Sequence, residues 1–338
     1  MSVQSKRLPS IEAFRFLFML VIILWHFSRF NPFTYGYIVV DFFFILSGFF
    51  LYKSFIKNNQ PFYLYTMSKL KRFAPGYLIM FFVIFGTKAL LVYEGNTSSI
   101  FRSAIPELFM VQGIGFNTVI NTPTWYISVL LIAGTVIYLL LSCHGLVRFV
   151  LPFLVILLYS YLFHMNSSIE TFERIGFLYL PLARGFAGIG LGVIMSRLCS
   201  KYEDIFEQNY TLMNILTIPA IIVISLGLFG SKCLDKYVIS AFCVLVLSFN
   251  VTKSIVNVLF SNSLWNKLGG LTYEMLLTHA FVINVVAKLI REWELSSFAS
   301  FVVVSIYVAI VLGASFLLKK ITAGVELIFT KDRLNIKS

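Results

Sequence analysis

Charge is scarce in this sequence. Asp, Glu, Lys and Arg together make up 12% of its residues, against about 25% in soluble domains. A soluble fold of that composition has no polar surface to turn toward water. Acidic residues are the scarcer sign, 15 against 27 basic ones. Cysteine is also sparse. Cys143, Cys199, Cys233 and Cys243 are scattered and form no CxxC pair. That spacing excludes a recognisable disulfide framework or thiolate metal site, and the four read as apolar fillers. No metal is expected. Low-complexity segments and a clear internal repeat are missing. So is any RNA- or DNA-binding motif, and the net charge of +12 therefore does not indicate nucleic acid as a partner.

Hydrophobic residues, at 59%, are abundant. They fall into runs approaching the roughly 20 residues that cross a bilayer. The predicted fold class is an all-α, polytopic transmembrane bundle of about ten helices. The first four lie near Ile11–Phe30, Tyr37–Phe55, Phe73–Val92 and Trp125–Cys143, the next three near Leu146–Phe163, Phe177–Leu198 and Thr211–Phe229. The last three lie near Tyr237–Val251, Leu264–Ile290 and Phe298–Leu318. Glu12 and Arg15 interrupt the first run and no small-residue cleavage site follows, so it reads as a retained helix. With the N-terminus inside, 17 of the 27 basic residues fall on the inner side, among them Lys6, Arg7, Lys53, Lys57, Lys253 and Lys337. Cytoplasmic loops favour Lys and Arg, so both termini are expected to be cytoplasmic. The longest loop, Tyr93–Thr124, is then expected to be external, and residues 1–338 are expected to form a single membrane domain with no separate soluble domain.

Polar groups inside a bilayer are costly unless paired or wetted, so those that persist are candidate functional positions. Arg15 and His26 in helix 1 are 11 residues apart, which places them on one helical face about 16 Å apart along the axis. Taken separately, Arg15 also suits snorkelling to the inner interface, and His26 suits the outer headgroups. Asp41 opens helix 2 and lies near His26 across a short connection. It suits either an imidazole-orienting carboxylate or a helix N-cap. Ser47-Gly48 follows, a pair that also suits close helix packing. Lys69, Lys71 and Arg72 cluster before Pro75, at the expected inner start of helix 3. A basic helix N-terminus suits phosphate, and the same cluster satisfies the positive-inside rule alone. Arg184 in helix 6 is too deep to snorkel easily and should have a partner. Gly185, Gly188, Gly190 and Gly192 beyond it mark a close-packing face, not a dinucleotide fingerprint. His279 in the ninth helix suits a polar pair inside the bundle.

These residues together resemble the acyltransferase-3 family of membrane acyltransferases. Arg15, ten intervening residues and His26 carry the most specific part. Val40-Asp41-Phe42-Phe43-Phe44-Ile45-Leu46-Ser47-Gly48-Phe49 is close behind. Lys69-Leu70-Lys71-Arg72 resembles the family's RxxR segment, with Lys69 in place of the first Arg. Leu271-Thr272-Tyr273-Glu274-Met275-Leu276-Leu277-Thr278-His279 resembles its SYxxYLxH segment. Trp125 matches the Trp of a WSLxxE motif, but Leu130 stands where the Glu would be. The C-terminal hydrolase-like domain that some members carry is not expected in residues 1–338.

The resemblance implies acyl-CoA, usually acetyl-CoA, as co-substrate, with no permanently bound cofactor. The acceptor it implies is a hydroxyl of a bacterial envelope polysaccharide or its lipid-linked glycan precursor, and the location a multi-pass inner (plasma) membrane protein among membrane lipids. Donor phosphates are expected at Lys69, Lys71, Arg72 and Arg15, and chemistry at His26, with Asp41 orienting it and Arg15 assisting. Ser47, Trp125, Arg184, Tyr273 and His279 are expected to line the site, with His279 the alternative base. A transporter or flippase for an envelope glycoconjugate is the alternative reading, since buried charges occur there too.

Overall fold

The computed structural model describes residues 8–27, 31–91, 97–116, 120–143, 147–165, 169, 172–175, 178–230 and 234–335. Helix α1 (Pro9–His26) opens with Pro9 in its first turn, where the missing N–H costs nothing. A 3-10 turn at Gly36–Ile38 leads into α2 (Val39–Asn58). That helix ends at Asn59 in the left-handed conformation (φ 38°), and the chain turns back into α3 (Phe62–Leu91). Next come α4 (Thr97–Leu108), α5 (Trp125–Ser142) and α6 (Val147–Met165). A two-residue antiparallel pair, β1 (Arg174–Ile175) and β2 (Leu178–Tyr179), precedes α7 (Leu180–Lys201). The remaining helices are α8 (Glu203–Gln208), α9 (Tyr210–Phe229), α10 (Asp235–Ser248), α11 (Ile255–Leu259), α12 (Leu264–Gly269), α13 (Thr272–Leu289) and α14 (Ser297–Asn335).

The all-helical membrane architecture agrees with the sequence. Among the described residues, seven helical segments are long and apolar enough to cross a bilayer unaided. They are Pro9–His26, Gly36–Asn58, Phe62–Ala89, Thr122–Ser142, Leu180–Lys201, Tyr210–Phe229 and Ser297–Val325. The other three expected crossings fall short of that standard. The apolar part of α6 is only Phe149–His164. Helix α10 has 14 residues, or about 21 Å at 1.5 Å per residue, against a hydrocarbon core of about 30 Å. The expected ninth helix breaks between α12 and α13, and Glu274, His279 and Lys288 dilute the apolar character of α13.

Two local expectations are corrected. The Tyr93–Thr124 segment is not simply a loop, since it contains α4. Helix 3 begins at Phe62 and not at Phe73, so Pro75 lies inside α3 and Lys69–Arg72 ride on its flank instead of forming its N-terminus. Phosphate binding there would have to come from side-chain charge, without the helix-end N–H groups. The cytoplasmic placement of the termini concerns residues 1–7 and 336–338, which lie outside the described residues, as does Cys233.

Helices α2 and α7 touch backbone to backbone. A Cβ on Gly48 would lie 1.9 Å from the Ile189 carbonyl oxygen, and one on Gly192 would lie 1.9 Å from that of Ile45. Only glycine permits that approach. The glycines of α7 do not share one face. Gly188 and Gly192 meet α2, whereas Gly190 meets Val155 of α6. Helix α1 is held between α2, α13 and α12, with Gly269 of α12 seated against Glu12. Large apolar side chains such as Phe298, Phe301 and Ile306 of α14 and Ile215 and Ile222 of α9 point outward, as lipid-facing positions do.

Candidate active site

One cavity of about 210 Å³ runs through the bundle beside α1. On α1 it is bordered by Arg15, Met19, Ile22 and His26, spaced four, three and four residues apart. That is one stripe of an α-helix, so the shared face expected for Arg15 and His26 is the cavity wall. Helix α2 contributes Val40, Phe43, Ser47 and Phe50, again a single stripe. Helix α3 contributes Tyr65, Lys69 and Arg72, α5 contributes Trp125, Tyr126 and Leu130, and α13 contributes Thr272, Tyr273 and Leu276.

Of the expected site residues, Arg15, His26, Ser47, Lys69, Arg72, Trp125 and Tyr273 meet at this one cavity. Lys71 does not. It is exposed and off the cavity, because at 100° per residue it cannot share the flank of Lys69 and Arg72. The two cavity-side cations also lie against rings, Lys69 Nζ 5.3 Å from the centre of Tyr65 and Arg72 Cζ 5.8 Å from that of Phe73.

Glu12 orients Arg15, accepting from Nη1 at 2.9 Å on both carboxylate oxygens. Glu12 itself is buried. The spacing of three residues between the two made this pair legible on a helix. Tyr65, Tyr126 and Thr272 are the polar wall residues that the sequence reading missed. Tyr126 and Ser47 both border the cavity. The i, i+4, i+7 step from Tyr65 through Lys69 to Arg72 was available as a clue to the first of them.

His26, expected from the sequence to carry the chemistry, is half-buried at the other end of the α1 stripe. Its Nδ1 is 2.8 Å from the Ile22 carbonyl oxygen. A carbonyl only accepts, so Nδ1 carries the proton of the neutral ring and Nε2 keeps its lone pair. His279 is arranged in the same way, with Nδ1 3.0 Å from the Met275 oxygen. The two rings meet at 67° with centres 5.1 Å apart. His26 borders the cavity, and His279 lies behind it, fully buried.

Asp41 does not orient His26. Its Oδ2 accepts from Arg184 Nε at 2.9 Å and Nη2 at 2.6 Å, and Nη2 also donates to the Tyr37 oxygen at 2.8 Å. The cavity stripe of α2 runs through Val40 and Phe43. Asp41, 100° further round, faces α7. Arg184 therefore has the partner that its burial demanded, one turn into α7, and neither residue borders the cavity. The Tyr37 hydroxyl continues the network to Asp235 of α10 at 3.0 Å. This pair ties helices together and leaves the triad-like role unfilled.

Leu130 borders the cavity, so the position where the resemblance puts a carboxylate presents an apolar wall. Among the described residues no group of three or more His, Cys, Asp or Glu is placed to hold a metal ion. No curated protein and no solved structure matches the chain. A family model described as an acyltransferase domain matches residues 8–320. With that match over nearly the whole chain, joined to a membrane bundle whose first-helix Arg and His open on one cavity, the protein belongs to the acyltransferase-3 family and is a membrane acyltransferase.

Proposed function

We propose that the protein transfers an acyl group, acetyl in the simplest case, from cytoplasmic acyl-CoA to a sugar hydroxyl. The acceptor is an envelope polysaccharide or its lipid-linked precursor, and the site is the inner (plasma) membrane of a bacterium. One observation carries the reading: Arg15, Lys69 and Arg72 border the same cavity as His26, and Arg15 stands about 16 Å from His26 along α1. Donor phosphates pair with those three cations by charge-assisted contacts. The pantetheine arm is of the same order of length as the stripe between Arg15 and His26, and it follows that stripe outward. Ser47, Tyr65, Tyr126 and Thr272 offer hydroxyls along the way.

In the transfer, the acceptor hydroxyl gives its proton to Nε2 of His26 as its oxygen bonds to the thioester carbon. The C–S bond breaks, and the departing thiolate takes the proton to leave as free CoA. The bond from Nδ1 to Ile22 fixes the tautomer that makes Nε2 the base. Direct transfer is the simpler course, and an acyl-histidine intermediate is the variant to trap.

The test is release of free thiol from acetyl-CoA by purified protein, as a function of added glycan acceptor. His26→Ala should lower turnover by roughly 10²–10⁴ while acetyl-CoA still binds. A wild type that binds or moves glycan without releasing thiol would instead make it a transporter or flippase.

A further inference from the structure

The cavity has an aromatic wall residue that the transfer above does not use. Phe42, Phe44 and Phe49 of α2 are buried, whereas Phe50 is 43% exposed and borders the cavity. Its depth follows from the close approaches of two glycines. Gly36, just ahead of α2, packs on Trp25, the neighbour of His26, since a Cβ there would lie 2.5 Å from that of Trp25. The stripes of α1 and α2 therefore share one end, at His26 and Val40. Phe50 lies ten residues along α2 from Val40, about 15 Å, which sets it nearly level with Arg15. Gly134 marks that level on the neighbouring helices. A Cβ on it would lie 3.9 Å from Leu51 Cδ1 and 3.4 Å from the Tyr65 hydroxyl. Lys69 and Arg72 follow Tyr65 on α3, about one and two turns closer to His26.

From the His26 end, the cavity thus presents an imidazole, then cations, then an open aromatic ring. An acyl-CoA carries its parts in the matching order: thioester, pantetheine arm, phosphates, adenosine. With the thioester at His26 and the phosphates paired with Arg15, Lys69 and Arg72, the adenine is the part that reaches Phe50. We propose that Phe50 is the platform on which the donor's adenine ring stacks. The enzyme then selects a nucleotide-bearing thioester over the same acyl group on phosphopantetheine alone, the form in which a carrier protein presents it. The inference rests on the acyltransferase reading and adds the class of donor to it. Stacking suits the site because a base offers a flat π-face, and covering Phe50 with it needs no further polar partner. A donor without adenosine leaves Phe50 open.

The test is equilibrium binding of acetyl-CoA and of S-acetyl phosphopantetheine, which lacks the adenosine, to the purified full chain in detergent. Phe50→Leu keeps apolar bulk and removes the π-face. Base–aromatic stacking corresponds to roughly a fivefold to hundredfold difference in Kd. Phe50→Leu should weaken acetyl-CoA by that factor and leave S-acetyl phosphopantetheine unchanged. Phe50→Trp should bind acetyl-CoA at least as tightly as wild type. Its added indole emission should be quenched by acetyl-CoA and not by S-acetyl phosphopantetheine. The platform is overturned if Phe50→Leu binds acetyl-CoA as wild type does. It is overturned equally if both donors weaken alike, which would make Phe50 a packing residue of the wall. If Phe50→Leu does not fold, Phe50→Trp decides, and an indole left unquenched by acetyl-CoA overturns the proposal. A wild type that binds neither donor defeats the acyl-CoA reading first, and the platform with it.

Discussion

Replacing Arg184 by Leu should damage the fold before it touches the chemistry. The guanidinium makes two bonds to Asp41 Oδ2, at 2.9 and 2.6 Å, and one to the Tyr37 oxygen at 2.8 Å. Asp41 is completely buried. Removing one partner of a buried ion pair leaves an uncompensated charge, which costs about 3–5 kcal/mol. Removing both is much cheaper, because no charge is left to desolvate. The assay is reversible unfolding by sodium dodecyl sulfate in mixed micelles, applied to Arg184→Leu, Arg184→Lys and the double variant Asp41→Leu with Arg184→Leu. Arg184→Leu should be the least stable of the three. Arg184→Lys keeps the charge but not the two-armed geometry or the reach to Tyr37, and should fall between it and wild type. The double variant should regain a large part of the loss. If Arg184→Leu lies within about 0.5 kcal/mol of wild type, as exposed substitutions do, the side chain reaches water and the pair is not structural. If the double variant is no better than the single one, the loss comes from packing and not from the stranded carboxylate. Asp41→Asn sharpens the distinction, since its turnover per folded molecule should stay within severalfold of wild type. A collapse of turnover with the fold intact would return Asp41 to the catalytic group.

Three further outcomes are expected. Lys69→Ala and Arg72→Ala should each raise the KM for acyl-CoA about tenfold, the scale of one charge-assisted phosphate contact, while Lys71→Ala, off the cavity, should leave it unchanged. Equal effects from all three in donor kinetics would mean that the cluster acts only through its summed charge. Gly192→Ala should destabilise the bundle by about 1–3 kcal/mol, because its Cβ would meet the Ile45 oxygen at 1.9 Å; unfolding in the same micelles at wild-type stability would show that α2 and α7 separate at little cost. Reporter fusions at Ser338 and within α4 should report opposite sides of the membrane, and a cytoplasmic result from α4 would reverse the expected orientation.

The membrane class was legible in composition because a bilayer demands long uncharged runs and internally bonded backbone. The alignment of Arg15 with His26 was legible for a similar reason, since 11 residues return an α-helix to nearly the same face. Lys69 and Arg72, three apart, followed the same periodicity. Short-range geometry of this kind is written in the chain. The partner of Asp41 was not. Sequence proximity placed it with His26, 15 residues away, whereas contact was decided by Gly48 and Gly192 drawing α7 against α2 until Arg184 met the carboxylate. His279 likewise sits more than 250 positions from the imidazole that it touches. Helical period fixes which way a side chain points along its own axis. Which helix stands opposite depends on how close two backbones can pack, and only the tertiary structure decided that.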